Sequence, residues 1–487
     1  MPDAEVRMTS KIICLATIHF LVAVGGLRAE TVSRPNVLFI AIDDLNDWVG
    51  FLDGHPQAKT PNMDRLANRG VVFSNAHCQA PICNPSRVSL MTGTRPSTTG
   101  IYLLGPTDFR KACPLLKDSK ETPTLPEHFA AHGYRTIGGG KIYHASTSRE
   151  TFQEYGPRGG NGAFPKQKLS YPDGVKLWDW GKFPSHDEDQ GDYGVATWAV
   201  EELAESRAEP FFMAVGFFRP HVPLYASEEW WKFVGAERDI QLPKVLTSDN
   251  NDIADFARQL TWSGLAPRHN WMIENDQWKR AVHAYLACVS FVDHQVGRVL
   301  DALDASPHAE NTIIALWSDH GWALGEKQRW AKRGLWESET RVPLIIAGPN
   351  VKGSRVCQQP VGLIDLYPTL AEMCGLSKPA HLEGRSLMPQ LQNVDTERPP
   401  VITTFFENNH AVRSARWRYI RYSTGDEELY DHDADPHEWR NLAGKPAHAE
   451  IIKELAQHLP SVNVRTAPGS SGLGSRDEDR HLFGNVR

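Results

Sequence analysis

The chain has 487 residues, of which 41% are hydrophobic and 23% charged, and a formal net charge of -7. Such a length exceeds one ordinary domain, and such a composition is ordinary for a core-forming protein, so one large domain with a smaller companion is expected. The mild negative charge carries no basic run, which argues against nucleic acid or an anionic membrane as partner. The seven cysteines are too few for a disulfide scaffold.

At the start of the chain, Arg7 and Lys11 precede an apolar run over residues 12–27, and the stretch closes on Ala29. This is the layout of a secretory signal peptide over residues 1–29, although Leu27 departs from the small residue preferred two places before a cut. Thr17 and His19 interrupt the run, and no second apolar stretch of about 20 residues follows. An exported chain without a membrane span is expected, periplasmic or secreted, or lysosome-like in a eukaryote. Removal of the signal takes Cys14 with it and leaves Cys78, Cys83, Cys113, Cys288, Cys357 and Cys374. Their pairing is open, including a bridge from Cys83 to Cys78 or Cys113.

Short continuous apolar runs at residues 37–42, 134–137, 211–218 and 312–317 predict strands buried on both faces. Each ends in polar residues. The first runs into Asp43 and Asp44, and the second opens through Gly138, Gly139 and Gly140 to Lys141 and His144. The third leads to Arg219, Pro220 and His221, the fourth through Ser318 to Asp319 and His320. Between them, Thr60 with Pro61 starts a helix, and Gly133 closes another that runs through Phe129. A long stripe at helical spacing, from Val282 through Leu286, Val289 and Val296 to Leu303, faces the core. Strands alternating with helices predict an α/β fold over residues 30–395, a large mainly parallel sheet sandwiched by helices. Ligands bind such sheets beyond the carboxyl ends of the strands, where these polar clusters fall.

After residue 395 the pattern changes. Pro399 and Pro400 form a joint, Thr424, Gly425 and Asp426 form a hairpin loop, Asp435 and Pro436 mark a turn, and residues 447–459 read as a helix. Residues 396–465 are therefore expected to make a small antiparallel sheet with one helix, and the Gly-, Ser- and charge-rich residues 466–487 a disordered tail.

Adjacent aspartates in a strand point to opposite faces, so Asp43 and Asp44 can share one ion only where the chain bends on leaving the sheet. With Asp319 and His320 they would supply carboxylates and an imidazole, a set that favours a hard cation, calcium above magnesium, while tolerating manganese or zinc. Cys83 stands at the head of a helix start and begins the run "CNPSRVSLMTG".

That run resembles the signature of the type I sulfatases, in which the cysteine is oxidised to formylglycine by a maturation enzyme before folding. The likeness covers about residues 34–443 and takes in "AIDDLN", "GKIYH", "RPHVP", "SDHGWALGE", "RWAK" and "LIDLYPTL", in the family's order. It is greatest to the iduronate-2-sulfatase-like branch, whose K-x-x-H spacing Lys141 and His144 share. The resemblance implies an alkaline-phosphatase-like fold. It also implies calcium held by Asp43, Asp44, Asp319 and His320, with formylglycine from Cys83 facing the ion. His320 stands where many arylsulfatases have asparagine. Arg87, Lys141, His144, His221 and Lys332 are the implied catalytic residues. One hydroxyl of the hydrated aldehyde would attack sulfur, and deprotonation of the other would expel sulfate. Arg87 would favour the attacking oxyanion, Lys141 and Lys332 the sulfuryl oxygens, and His144 would be the base. His221 with Lys332 would serve the leaving sugar oxygen.

A sulfated carbohydrate is the expected substrate, with Trp178, Trp180, Lys182, His186, Trp336 and His410 as candidates for a sugar-binding mouth. The alternatives are a phosphomonoester or phosphonate hydrolase of the same superfamily, or a glycan-binding protein without activity if Cys83 stays a thiol.

Overall fold

The structure is a computed structural model that describes residues 34–469 except 107, 145, 173, 262 and 263. The signal over residues 1–29 and the tail beyond residue 469 lie outside the described residues. The main sheet has eight strands: β1 Asn36–Ile42, β2 Gly70–Phe73, β3 Arg135–Gly140, β4 Glu154–Tyr155, β5 Phe211–Phe217, β6 Thr312–Ser318, β7 Leu344–Ala347 and β8 Arg355–Cys357. Their order across the sheet is β8-β2-β7-β6-β1-β5-β3-β4. Pairing is parallel throughout except at β7, which runs antiparallel to both neighbours.

The alternation of side chains along β1 explains the two helical layers. Leu38, Ile40 and Ile42 share one core with Val282, Leu286, Val289 and Val296 of the helix Trp278–Ala305. Val37, Phe39 and Ala41 share another with Leu90, Phe129 and Leu370, which belong to the helices Cys83–Thr92, Leu125–Ala131 and Leu366–Met373. The helical stripe read from the sequence thus packs on one face of the sheet, together with Met63 and Leu66 of the helix Pro61–Arg69 and Val195, Ala199 and Leu203 of the helix Gly191–Ala204.

Register brings the polar clusters to one edge. Ile42 pairs with Phe217 on one side and with Ser318 on the other, and Gly140 pairs with Gly216. Asp43, Asp319 and Lys141 are therefore the first residues past three strand ends at the same level. The strand read as ending at Ile137 continues through Gly138, Gly139 and Gly140. Lack of side chains is what permits it: a Cβ on Gly139 would fall 2.2 Å from the Trp198 ring, and one on Gly140 1.8 Å from the Gly216 carbonyl oxygen. The Gly140 φ of 74° then turns the chain so that the Lys141 N–H donates to that same carbonyl at 2.9 Å.

Toward the carboxyl end, the strands Val401–Thr404, His410–Arg413, Trp417–Arg421 and Glu427–Asp431 form an antiparallel sheet in chain order. Gly425, with φ 93°, closes the expected hairpin. The helix is Ala449–Ala456, shorter than read, because a 3-10 turn at Pro446–His448 precedes it. One face of this sheet packs on that helix through Val412, Tyr419, Leu429 and Leu455. The other packs through Ala411, Ile420 and Tyr430 against Ile82, Leu335 and Trp336. Placed contacts run slightly past the expected start of the tail, since the Thr466 hydroxyl donates to Glu407 at 2.6 Å and the Ala467 N–H to the Gly100 carbonyl at 2.8 Å. The six described cysteines are all free and buried, so neither bridge to Cys83 forms.

Gly140→Ala should lower the free energy of unfolding in urea by about 3 kcal/mol or more, because it adds left-handed backbone strain to a collision with main chain. An unchanged unfolding midpoint would show that the two strand ends are not held this closely.

Candidate active site

Asp43 leaves β1 still in the ladder, its N–H donating to Phe217 at 3.1 Å. Asp44 follows with φ 60°, the bend that lets both carboxylates turn to one side. The Asp44 N–H donates to Asp319 Oδ1 at 3.1 Å and the Leu45 N–H to Ser318 Oγ at 3.1 Å, which ties the ends of β1 and β6 together.

Cys83 is the first residue of the helix Cys83–Thr92, every residue of which is buried, so its Sγ meets the partial positive charge of the helix N-terminus. Around Sγ stand Lys332 Nζ at 3.0 Å, His320 Nε2 at 3.3 Å, and Lys141 Nζ and Asp44 Oδ1 at 3.9 Å each. Lys332 Nζ also donates to Asp44 Oδ1 at 2.7 Å, and Lys141 Nζ pairs with Asp43 Oδ2. His320 donates from Nδ1 to the Gly321 carbonyl at 2.9 Å, and His221 from Nδ1 to that of Val222 at 2.6 Å. Both rings therefore turn Nε2 inward, His221 Nε2 reaching to 3.9 Å from Asp44 Oδ2.

Arg87 lies one turn into the helix, fully buried. Its Nε donates to Asp319 Oδ2 at 2.8 Å and its Nη2 to Asp43 Oδ1 at 3.1 Å, while Nη1 serves the carbonyls of Lys141 and, at 3.0 Å, Ile142. The guanidinium is used up in holding carboxylates and the end of β3. It is not among the residues that line the cavity above Cys83.

Burial opposes ionisation of all these groups, and the neighbours decide the balance. Asp43 is held well below the usual carboxylate range despite burial, by Lys141, His221 and Arg87. Burial pushes Asp44 up to about 7, against the pull of Lys332. The Cys83 thiol is lowered because Lys141 and Lys332 outweigh burial and Asp43. His320 is raised to about 9, with Asp319 prevailing over burial. Burial and then Lys141 push His144 down to about 3, and burial takes His221 well down as well, so both rings are neutral.

Atoms of Asp43, Asp44, Cys83 and His320 converge within 4.8 Å of one another. Asp44 Oδ2 is buried without a hydrogen-bond partner. Carboxylate oxygens, one of them orphaned, beside an inward Nε2 are donors that fit a divalent cation. Asp319 borders that group, its Oδ2 lying 3.6 Å from His320 Nε2 while its oxygens also accept the Asp44 N–H and Arg87 Nε.

Above Cys83 opens a cavity of about 380 Å³ lined by Cys83, Lys141, His144, His221 and Lys332. The structure thus brings every expected catalytic residue to one place, with Arg87 directly beneath. Of the expected sugar-binding candidates only Trp178 lines the cavity, stacked on Trp322 at 5.7 Å. Trp180 is core, its Nε1 donating to Gln277 at 3.0 Å. Lys182 is exposed and paired with Glu228, and His186 precedes the 3-10 turn Asp187–Asp189 away from the cavity. Trp336 and His410 belong to the packing of the carboxyl-terminal sheet, where Trp336 Nε1 donates to Glu428 at 2.8 Å. An aromatic residue in sequence carries no mark of whether it faces a core or a cleft. The sequence reading missed Tyr143, Arg149, Tyr155, Arg158, Trp322 and Arg333, which line the cavity. Of these, Tyr143 lay within "GKIYH", Trp322 within "SDHGWALGE" and Arg333 next to Lys332, whereas Arg149, Tyr155 and Arg158 lay outside the recognised motifs.

Comparison with known proteins agrees with this geometry. The sulfatase family model matches residues 35–376, and a second model, N-sulphoglucosamine sulphohydrolase, C-terminal, matches residues 325–465. A protein of Formosa agariphila named sulfatase is 42% identical over 448 residues, covering 89% of this chain and 88% of that one. The iduronate 2-sulfatase of Mus musculus is 31% identical, covering 75% of each chain. Among solved structures, a 2-O GAG sulfatase superposes with a TM-score of 0.70 at 26% identity, covering 87% of this chain and 91% of its own. With the match to the family model spanning most of its length, and the motif cysteine at the floor of a cationic cavity, this chain belongs to the type I sulfatase family and is a sulfuric ester hydrolase.

Proposed function

We propose that the protein hydrolyses sulfate esters of anionic polysaccharides, glycosaminoglycan-like in kind, after export and after conversion of Cys83 to formylglycine by a maturation enzyme. The observation that carries this reading is the placement of Cys83 Sγ at the head of a buried helix, under the cavity and 3.0 Å from Lys332 Nζ. The relatives named iduronate 2-sulfatase and 2-O GAG sulfatase support a sulfated sugar as substrate.

Asp43, Asp44, His320 and the adjoining Asp319, with residue 83 opposite, would hold a calcium ion. Held there, a calcium ion would supply Lewis-acid polarisation of an oxygen on residue 83. Oxidised to formylglycine, residue 83 would supply an aldehyde hydrate whose second hydroxyl allows release of sulfate, a path that a thiol lacks. Lys141 and Lys332, whose ammonium groups flank residue 83, neutralise the sulfuryl oxygens. His144, neutral at the cavity wall, takes the proton whose loss releases sulfate. Lys332 Nζ and His221 Nε2 serve the leaving sugar oxygen. Arg87 pairs with Asp43 and Asp319 and so fixes both carboxylates beside residue 83.

Three outcomes follow. Mass spectrometry of protein made with a competent maturation enzyme should find the peptide containing Cys83 lighter and reactive toward hydrazides, and Cys83→Ala should abolish sulfate ester hydrolysis. Full activity with an unmodified thiol, or in Cys83→Ala, would falsify the mechanism. Elemental analysis of the purified protein should give about one calcium per chain, with a thermal midpoint that falls on chelation; no calcium, or stoichiometric zinc, would rule the ion out. Lys332→Ala should lower kcat/KM by about 10²- to 10³-fold on every sulfated substrate alike. A loss confined to long oligosaccharides would move Lys332 from the sulfate to a sugar subsite.

A further inference from the structure

The cavity above Cys83 holds more positive charge than one sulfate ester requires. Five cationic side chains line it, those of Lys141, Arg149, Arg158, Lys332 and Arg333, and no Asp or Glu is among its lining residues. Lys141 and Lys332 are paired with Asp43 and Asp44 at the floor. Arg149 and Arg158 have no carboxylate partner among the described residues.

Their placement is built into the sheet edge. β4 pairs with β3 through Ile137 with Glu154 and Gly138 with Tyr155. The ladder continues past β4, with the Gly156 N–H donating to the Gly138 carbonyl at 2.7 Å and the Gly140 N–H to that of Pro157 at 2.9 Å. Arg158 follows directly. Tyr155 donates from its hydroxyl to the Gly140 carbonyl at 2.9 Å, and the Arg149 guanidinium lies 5.2 Å from the centre of its ring. Arg158 is thus carried on backbone bonded to the strand end that delivers Lys141, and the Arg149 guanidinium is set against that edge by the Tyr155 ring. Planar forks of N–H donors fit planar or tetrahedral oxyanions.

We propose that Arg149 and Arg158 form a second anion subsite at the cavity wall, which holds a carboxylate or a further sulfate on the same saccharide whose ester is cleaved over residue 83. The inference rests on the sugar-sulfate reading above and adds to it a requirement for a second negative charge near the scissile ester. The two arginines are specificity residues and take no part in the bond change.

The test uses matured full-length enzyme and four disaccharide probes: a monosulfated one with a uronate carboxylate, the same with that carboxyl reduced to an alcohol, a disulfated neutral one, and its monosulfated counterpart. Wild type should show a lower KM for one or both doubly anionic probes than for their singly anionic partners, and the preferred pair tells carboxylate from sulfate. In the Arg149→Ala, Arg158→Ala double variant, KM for the preferred probe should rise about tenfold and the preference should collapse, with kcat little changed. Lysine at both positions should restore part of the preference. A KM that rises equally on all four probes, or a preference that survives, overturns the subsite. Hydrolysis of an aryl sulfate but of none of the saccharides overturns the sugar reading, and the subsite with it.

Discussion

The site depends on one buried cation, the Arg87 guanidinium. It joins Asp43 past β1, Asp319 past β6 and the carbonyls of Lys141 and Ile142 past β3, which are three strand ends distant in sequence. Asp43, Asp44 and Asp319 lie together without solvent exposure, an arrangement that like-charge repulsion and desolvation oppose. Removing one partner from such a buried network typically costs about 3 to 5 kcal/mol, because the remaining charges stay buried and unpaired. The fork shape matters as much as the charge, since Nε and Nη2 meet two different carboxylates while Nη1 bridges two carbonyls. An ammonium group at the same place has neither the span nor the number of fixed donors.

The carboxyl-terminal sheet has a role in the same site. It packs on Leu335 and Trp336, just beyond Lys332. Arg418 donates to the Leu335 carbonyl at 2.9 Å, Arg413 Nε pairs with Glu337 at 3.1 Å, and Glu428 accepts from Trp336 Nε1. On the other side of Lys332, Lys327 pairs with Asp249 at 2.9 Å. Within this anchored stretch, Ala331 and Arg333 both adopt positive φ, 85° and 90°, which non-glycine residues rarely do. Contacts on both flanks hold that backbone, and between the two positive-φ residues Lys332 reaches to 3.0 Å from Cys83 Sγ. A segment with little regular structure is thereby positioned as firmly as a strand end.

Electrostatically the cavity has two levels. At the floor, each lysine faces an aspartate, so charge is balanced and the ammonium groups are fixed in place. At the wall the Arg149 guanidinium lies over the Tyr155 ring, 5.2 Å from its centre. Low dielectric at the floor strengthens every interaction made there, whereas the more open wall leaves room for part of a larger ligand.

The sequence by itself determined the strands that bear the site, the helical stripe from Val282 to Leu303, and the identity of Asp43, Asp44, Cys83, Lys141, His144, His221, Asp319, His320 and Lys332. These were legible because short apolar runs ending in charge are a local pattern, and because the run from Cys83 to Gly93 is a contiguous motif. The positive φ of Asp44 answered a condition that the paired aspartates had already set. Continuation of β3 through three glycines was not legible: glycine disfavours strands in isolation, and only the approach of Gly216 and Trp198 makes its missing side chain necessary. The antiparallel β7 and the anchoring of Lys332 by the carboxyl-terminal sheet were also decided in tertiary structure. So was the cavity wall, where Trp178 faces the opening while Trp180 and Trp336 face cores. Which face an aromatic or an arginine presents follows from what packs against it, and those partners lie far away in the chain.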